Sequence, residues 1–174
     1  MDHDTPLIYL AGPTVFAPDA EARFDALRRV CEAAGARALC PVDGELPEGL
    51  AGPALARRIF DANIALLRRA HAVIADARPF RGLEPDSGTM FEIGFAHALG
   101  LPVAVYGVPA GLHEARIAAA WGAREHDGRR VDAREGWLIE SFGLPLNLMI
   151  ACPATVAPDA AAAVRAVLAR LHKI

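Results

Sequence analysis

Apolar runs that do not alternate with polar residues recur along the chain, at residues 6–11 (PLIYLA), 72–75 (AVIA) and 101–107 (LPVAVYG), with a weaker one at 36–41 (ARALCP). Runs of this length, bounded by Gly or Pro, predict strands buried on both faces, as in a parallel sheet. Pro41 ends the weak one. Helical spacing fills the intervals. Residues 18–34 place Phe24, Leu27, Val30 and Cys31 on one face with Gly35 as a stop. Residues 54–70 predict a second helix whose buried stripe is Leu55, Ile59, Phe60, Ile64 and Leu67. The loop between them, 42–53, carries Asp43, Glu45, Glu48 and three glycines, and reads as flexible and acidic.

Strand and helix in alternation predict a single α/β domain over 1–174, a doubly wound parallel sheet with helices on both faces. In such a sheet the ligand crevice lies beyond the carboxyl ends of the strands. Later segments carry weaker signals: a helix over 113–123, a polar turn over 125–132, a helical turn over 137–140, an apolar stretch over 144–151 interrupted by Asn147, and a closing amphipathic helix over 158–171.

The stretch 76–100 stands out from this pattern. It leaves a strand, crosses a loop holding Asp76, Glu84, Asp86, Arg78 and Arg81, and enters an apolar helix whose one formal charge is Glu92. A carboxylate there is satisfied by partners or faces a cleft. Asp76, Asp86 and Glu92 fall within seventeen residues, and the topology places them at the mouth of one crevice. Neighbouring carboxylates raise one another's pKa, so one can act as nucleophile or base while another holds a proton, the arrangement that glycosidic cleavage requires. Mg2+ would use the same residue types.

Plainer roles compete at each position. Thr89-x-x-Glu92 matches a capping box. Asp76 and Asp86 also suit turns. Arg78 and Arg81 either bind an anion or pair locally with Glu84 and Asp86. Gly82 and Gly88 let backbone approach a ligand or simply turn. Asn147 is either a ligand-facing amide or a sheet-edge partner. Met149, at strand-like spacing from it, and Tyr9, ending the first strand, suit ligand contact and packing equally, and His97 reads as a helix-packing histidine.

Composition narrows the partners. The formal net charge is -3 and no segment gathers Lys and Arg, so nucleic acid is not an expected partner. No run nears the roughly 18 apolar residues of a membrane span, and residues 1–4 lack a basic, apolar leader, so a cytoplasmic location is expected. Cys31, Cys40 and Cys152 show no paired spacing and read as core residues. No Walker or dinucleotide-type glycine cradle occurs, so no cofactor is expected, with ATP, NAD and flavin unsupported.

Three segments in order, 9–16 (YLAGPTVF), 76–100 and 147–150 (NLMI), resemble the nucleoside 2-deoxyribosyltransferase family. The resemblance implies a small flavodoxin- or Rossmann-like domain that moves a 2-deoxyribosyl group between nucleobases. It implies Glu92 as the nucleophile at C1′, forming a covalent intermediate with overall retention, and Tyr9 as the residue that places it. Asp76 and Asp86 match base-contacting positions, one helping a proton reach the departing ring nitrogen. Gly12, Phe16, Asp43, Arg78 and Gly88 fall at substrate-binding positions, Asp43 standing roughly where the family places a base-binding amide. Asn147 and Met149 resemble a pair that completes a neighbouring subunit's site, so a homo-oligomer is implied. Substrates would be 2′-deoxynucleosides and free bases, with no metal.

Two other readings use the same residues. An N-glycosidase would hand the sugar to water, acting on nucleosides or on deoxynucleoside 5′-monophosphates. The first loop, Ala11-Gly12-Pro13-Thr14, lacks the serine and glycine-rich phosphate site of relatives that hydrolyse monophosphates, while Arg78 and Arg81 supply positive charge. A nucleotide-sensing module would bind without turnover.

Overall fold

The computed structural model describes residues 5–41, 43 and 49–171. In chain order the elements are β1 (Leu7–Ala11), a 3-10 turn (Pro13–Phe16), α1 (Ala20–Ala33), β2 (Arg37–Leu39), α2 (Gly52–Arg69), β3 (Ala72–Asp76), α3 (Ser87–Ala98), β4 (Val103–Tyr106), α4 (His113–Trp121), β5 (Ala123–His126), β6 (Arg129–Asp132), α5 (Leu148–Ala151), β7 (Ala154–Val156) and α6 (Ala160–Leu171). Five strands form one sheet in the order β2-β1-β3-β4-β7, and every pairing is parallel. Strand order reverses between β1 and β3, and a ligand crevice is expected beyond that point.

Alternate residues of each strand feed two cores. Ile8, Leu10, Ile74 and Ala104 pack with Phe24 of α1 and Val164 and Val167 of α6. Tyr9, Ala11, Val73 and Val105 pack with Leu67 of α2, Ile93 and Ala96 of α3 and Ile150 of α5. Both faces of the sheet are therefore covered by helices, which is why its strands read as unbroken apolar runs. The expected α/β sheet is present, with an additional fifth strand, β7, whose three residues carry too little pattern to register.

Several local readings change. Most of the acidic loop expected over 42–53 lies outside the described residues. The buried stripe expected for the second helix holds at Leu67 and, partly buried against the core, at Ile64; Ile59 and Phe60 are exposed, because the first half of α2 turns its apolar side to a cavity and to Phe91. The expected polar turn over 125–132 is a hairpin, β5 paired antiparallel with β6 through Asp127-Gly128, a dipeptide well suited to a tight two-residue turn. Residues 137–140 do not make a helical turn: Leu138 bridges back to Val131, and Asp132 accepts from the backbone N–H groups of Glu135 at 2.6 Å and Trp137 at 2.8 Å. Those backbone donors hold the Asp132 carboxyl below its usual range. Cys31 and Cys40 are core residues, but Cys152 is exposed, and so is His97.

Candidate active site

Tyr9 and Glu92 meet because β1 presents Tyr9 to the face that α3 covers. The fully buried Tyr9 donates its hydroxyl to Glu92 Oε1 at 2.5 Å. Burial pushes the Glu92 carboxyl up to about 7; the Tyr9 hydrogen bond opposes that rise and the nearby Asp86 charge adds to it. Burial, then the Glu92 charge, raises the Tyr9 phenol in turn, so it stays a neutral donor.

Glu92 is not spent on the helix start. The N-cap of α3 is Asp86, whose Oδ2 accepts from Thr89 N at 3.0 Å and Thr89 Oγ1 at 3.3 Å. That puts Thr89 inside the helix and Glu92 a turn further on, so the capping box does not form. Asp86 keeps Oδ1 without a partner among the described residues.

Glu92 lines a cavity of about 460 Å³, a size that suits a small organic ligand. Gly12 and Phe16 enter it after β1, Pro41 after β2, and Ile59 and Asn63 from α2. Asp86, Gly88 and Thr89 join Glu92 from the start of α3. Phe16 also walls a second cavity of about 180 Å³, where Asp76 and Arg78 sit with Arg23 and Phe80. The structure thus brings Tyr9, Asp86, Gly88 and Glu92 together and sets Asp76 and Arg78 across the Phe16 ring.

Asp76 ends β3, buried. Arg78 wraps it: Nε donates to Oδ2 at 2.7 Å, the backbone N–H donates to Oδ1 at 3.1 Å, and Nη2 stands 2.6 Å from Oδ2. Two glycines make this fit possible. A Cβ on Gly12 (φ 144°) would lie 2.8 Å from Asp76 Cβ, and one on Gly107 (φ 72°) would lie 2.5 Å from Asp76 Oδ1. The expected pairing of Arg78 and Arg81 with Glu84 and Asp86 is absent. Arg78 takes Asp76, while Arg81 lies over Phe16 and Phe80, which stack at 5.3 Å. Glu84 instead meets the buried His113 Nε2 at 2.6 Å.

Asp43 and the Asn147 pair lie outside both cavities. Asp43 accepts from Cys40 N at 2.7 Å and pairs with Arg28 at 2.8 Å, which ties down the end of β2. Asn147 caps α5: its Oδ1 accepts from Met149 N at 3.0 Å, and its Nδ2 donates to Glu140 at 2.8 Å. Met149 is therefore helical and not strand-like, and it is 73 % exposed. Among the described residues, no three His, Cys, Asp or Glu side chains gather as a metal site, and no described helix is long and apolar enough to cross a membrane.

Sequence reasoning did not single out Asn63, the one amide lining the larger cavity. Its signal was present: it stands one helical turn beyond Ile59 on an otherwise apolar face.

The family model for nucleoside 2-deoxyribosyltransferase matches residues 8–149. A 2-desoxiribosyltransferase from Leishmania mexicana is 32 % identical, covers 97 % of each chain and superposes with a TM-score of 0.70. An uncharacterized protein of Schizosaccharomyces pombe is 30 % identical over 161 residues, which are 84 % of this chain and 76 % of the relative. A conserved protein from Enterococcus faecalis V583 is similar in fold alone, at 18 % identity over 95 % of this chain and 99 % of its own, with a TM-score of 0.57.

Proposed function

The chain belongs to the nucleoside 2-deoxyribosyltransferase family, and on that premise we propose that it transfers a 2-deoxyribosyl group between nucleobases through a covalent bond to Glu92. The observation that carries this reading is the hydrogen bond that Tyr9 donates to Glu92, a carboxylate lining a ligand-sized cavity. A Glu92 carboxylate oxygen attacks C1′ as the bond from C1′ to the base nitrogen breaks, and the bonding pair leaves with the base, which takes up a proton. A nitrogen of the second base then attacks C1′ from the face the first base left and gives up its proton, which replaces the one that the first base took. Glu92 departs as carboxylate, and two inversions leave the configuration retained.

The chemistry suits the groups present. The sugar ring gains positive charge in the transition state, and the part-buried Glu92 carboxylate stabilises it. Tyr9 holds one Glu92 oxygen and leaves the other for C1′. Asp86, in the same cavity with Oδ1 uncommitted, is the group placed to pass a proton to the leaving base. Asp76, across the Phe16 ring, is already engaged by Arg78 and does not line the Glu92 cavity.

Asn147 and Met149 lie outside the Glu92 cavity of their own chain, consistent with a homo-oligomer in which they complete a neighbour's site. Phe60 and Phe91, tilted together at 5.9 Å, are exposed apolar side chains on α2 and α3. Incubation of deoxyinosine with free adenine, followed by chromatography, tests the reaction. A new deoxynucleoside is expected. Free deoxyribose alone would make the enzyme a hydrolase, and unchanged substrate over several donors would refute both. Light scattering reporting a monomer would refute the shared site.

A further inference from the structure

The loop that carries Asp86 into α3 is fastened to the rest of the fold at one point. Its backbone closes on itself, the Phe80 N–H donating to the Glu84 carbonyl at 3.0 Å. Of residues 79–85, Glu84 alone makes a hydrogen bond to another element among the described residues, its carboxylate meeting His113 Nε2 at 2.6 Å. An ionised carboxylate only accepts, so Nε2 is the donor. His113 opens α4, where its backbone N–H donates to the Leu144 carbonyl at 2.9 Å. Arg116, a turn further on, donates to the Pro145 carbonyl at 2.5 Å. The His113 ring is buried, yet its Nδ1 has no hydrogen-bond partner among the described residues. A buried polar atom without a partner is destabilising, and an apolar side chain would fill the same place without that cost. Holding Glu84 is the ring's one polar task.

Glu84 stands two residues before Asp86, and between them is the buried Pro85, whose fixed φ leaves the backbone little freedom to absorb a shift. From the helix side Asp86 is set by Thr89, whose N–H donates to Oδ2 at 3.0 Å. From the loop side its place is set through Glu84. His113 lines neither the Glu92 cavity nor the Asp76 cavity, so it acts on the site only through this link. A shift of about 1 Å at a reacting group can cost about a hundredfold in rate. We propose that His113 is a positioning residue of the Glu92 site, holding Asp86 through Glu84 where its carboxyl reaches the departing base. The assignment rests on the reading that Asp86 passes a proton to that base.

Two readouts test it in wild type, His113→Leu, His113→Gln and Glu84→Ala: steady-state kinetics on deoxyinosine with free adenine, and deuterium exchange at the Thr89 amide followed by NMR. His113→Leu is expected to lower kcat about tenfold with KM within about twofold of wild type, and to speed exchange at Thr89. Gln still offers Glu84 an N–H and recovers most of the loss. Adding His113→Leu to Glu84→Ala costs nothing further, because the two act through one contact. If His113→Leu does not fold, Glu84→Ala, at a part-exposed side chain, decides by the same two readouts. A kcat within about twofold of wild type, equal losses in Leu and Gln, or unchanged exchange at Thr89 each overturns the assignment. Faster Thr89 exchange in His113→Leu, in a protein whose wild type makes no deoxynucleoside, would support the tether and overturn the transfer reading.

Discussion

Replacing Tyr9 by Phe removes a single oxygen, and with it the hydrogen bond that opposes the rise in the Glu92 pKa. Burial and the Asp86 charge remain. A hydrogen bond to an ionised group contributes about 1.5–3 kcal/mol, and one pKa unit corresponds to about 1.4 kcal/mol. Glu92 should therefore move upward by roughly one to two units from its value of about 7. At about pH 7 the ionised fraction would fall from about a half to between a tenth and a hundredth, so kcat/KM drops roughly five- to fiftyfold there. Above about pH 9 most of the loss is recovered, because Glu92 ionises again. The assay is kcat/KM for a deoxynucleoside donor across that range, in wild type and variant. A fall by the same factor at every pH, with the ascending limb unmoved, would show that Tyr9 does not act through the ionisation of Glu92 and would refute the reasoning.

Three further outcomes follow from the same geometry. Glu92 binds a proton more tightly folded than unfolded, so its contribution to stability is complete below about pH 4.5 and is lost as pH rises through about 7. Glu92→Gln should accordingly abolish turnover yet melt higher than wild type at about pH 8, by at most about 3 kcal/mol. The two should converge near pH 5, and a variant less stable at both pH values would contradict this. Gly107→Ala forces a methyl against Asp76 in a left-handed backbone, so thermal melts should show a loss of about 1–3 kcal/mol together with reduced kcat/KM; a wild-type melting temperature would refute the close fit. Native protein should react with a thiol reagent at Cys152 alone, because burial pushes Cys31 up to about 11 and Cys40 up to about 12. Peptide mapping that finds Cys31 or Cys40 modified before denaturation would contradict that.

The parallel core was legible because strands buried on both faces have to be apolar throughout, and Ile8, Ile74 and Val103 leave little choice. Glu92 was legible for the complementary reason, as a charge with no local use on an apolar helix. What escaped depends on contacts distant in sequence. That Asp86 rather than Thr89 caps α3 is decided by where the loop enters the helix. The partner of Arg78 is chosen by the close approach of Gly12 and Gly107 to Asp76, from two different strand ends. Ile59 and Phe60 have the spacing of core residues, and only the placement of α2 reveals that they face a cavity and the surface. The hairpin at Asp127-Gly128 was present in the sequence, hidden because β5 is exposed throughout and both strands carry several charges.

Phe16 is shared by both cavities, with Phe80 stacked on one side and Arg81 overhead. A single aromatic ring, more than half exposed, therefore partitions the space beyond the sheet. Trimming it would join the two chambers without touching Tyr9, Asp86 or Glu92. On the proposed transfer reading, residue 16 is the codon at which to begin in widening the space for a base, whereas Gly12 and Gly107 are the codons to leave alone.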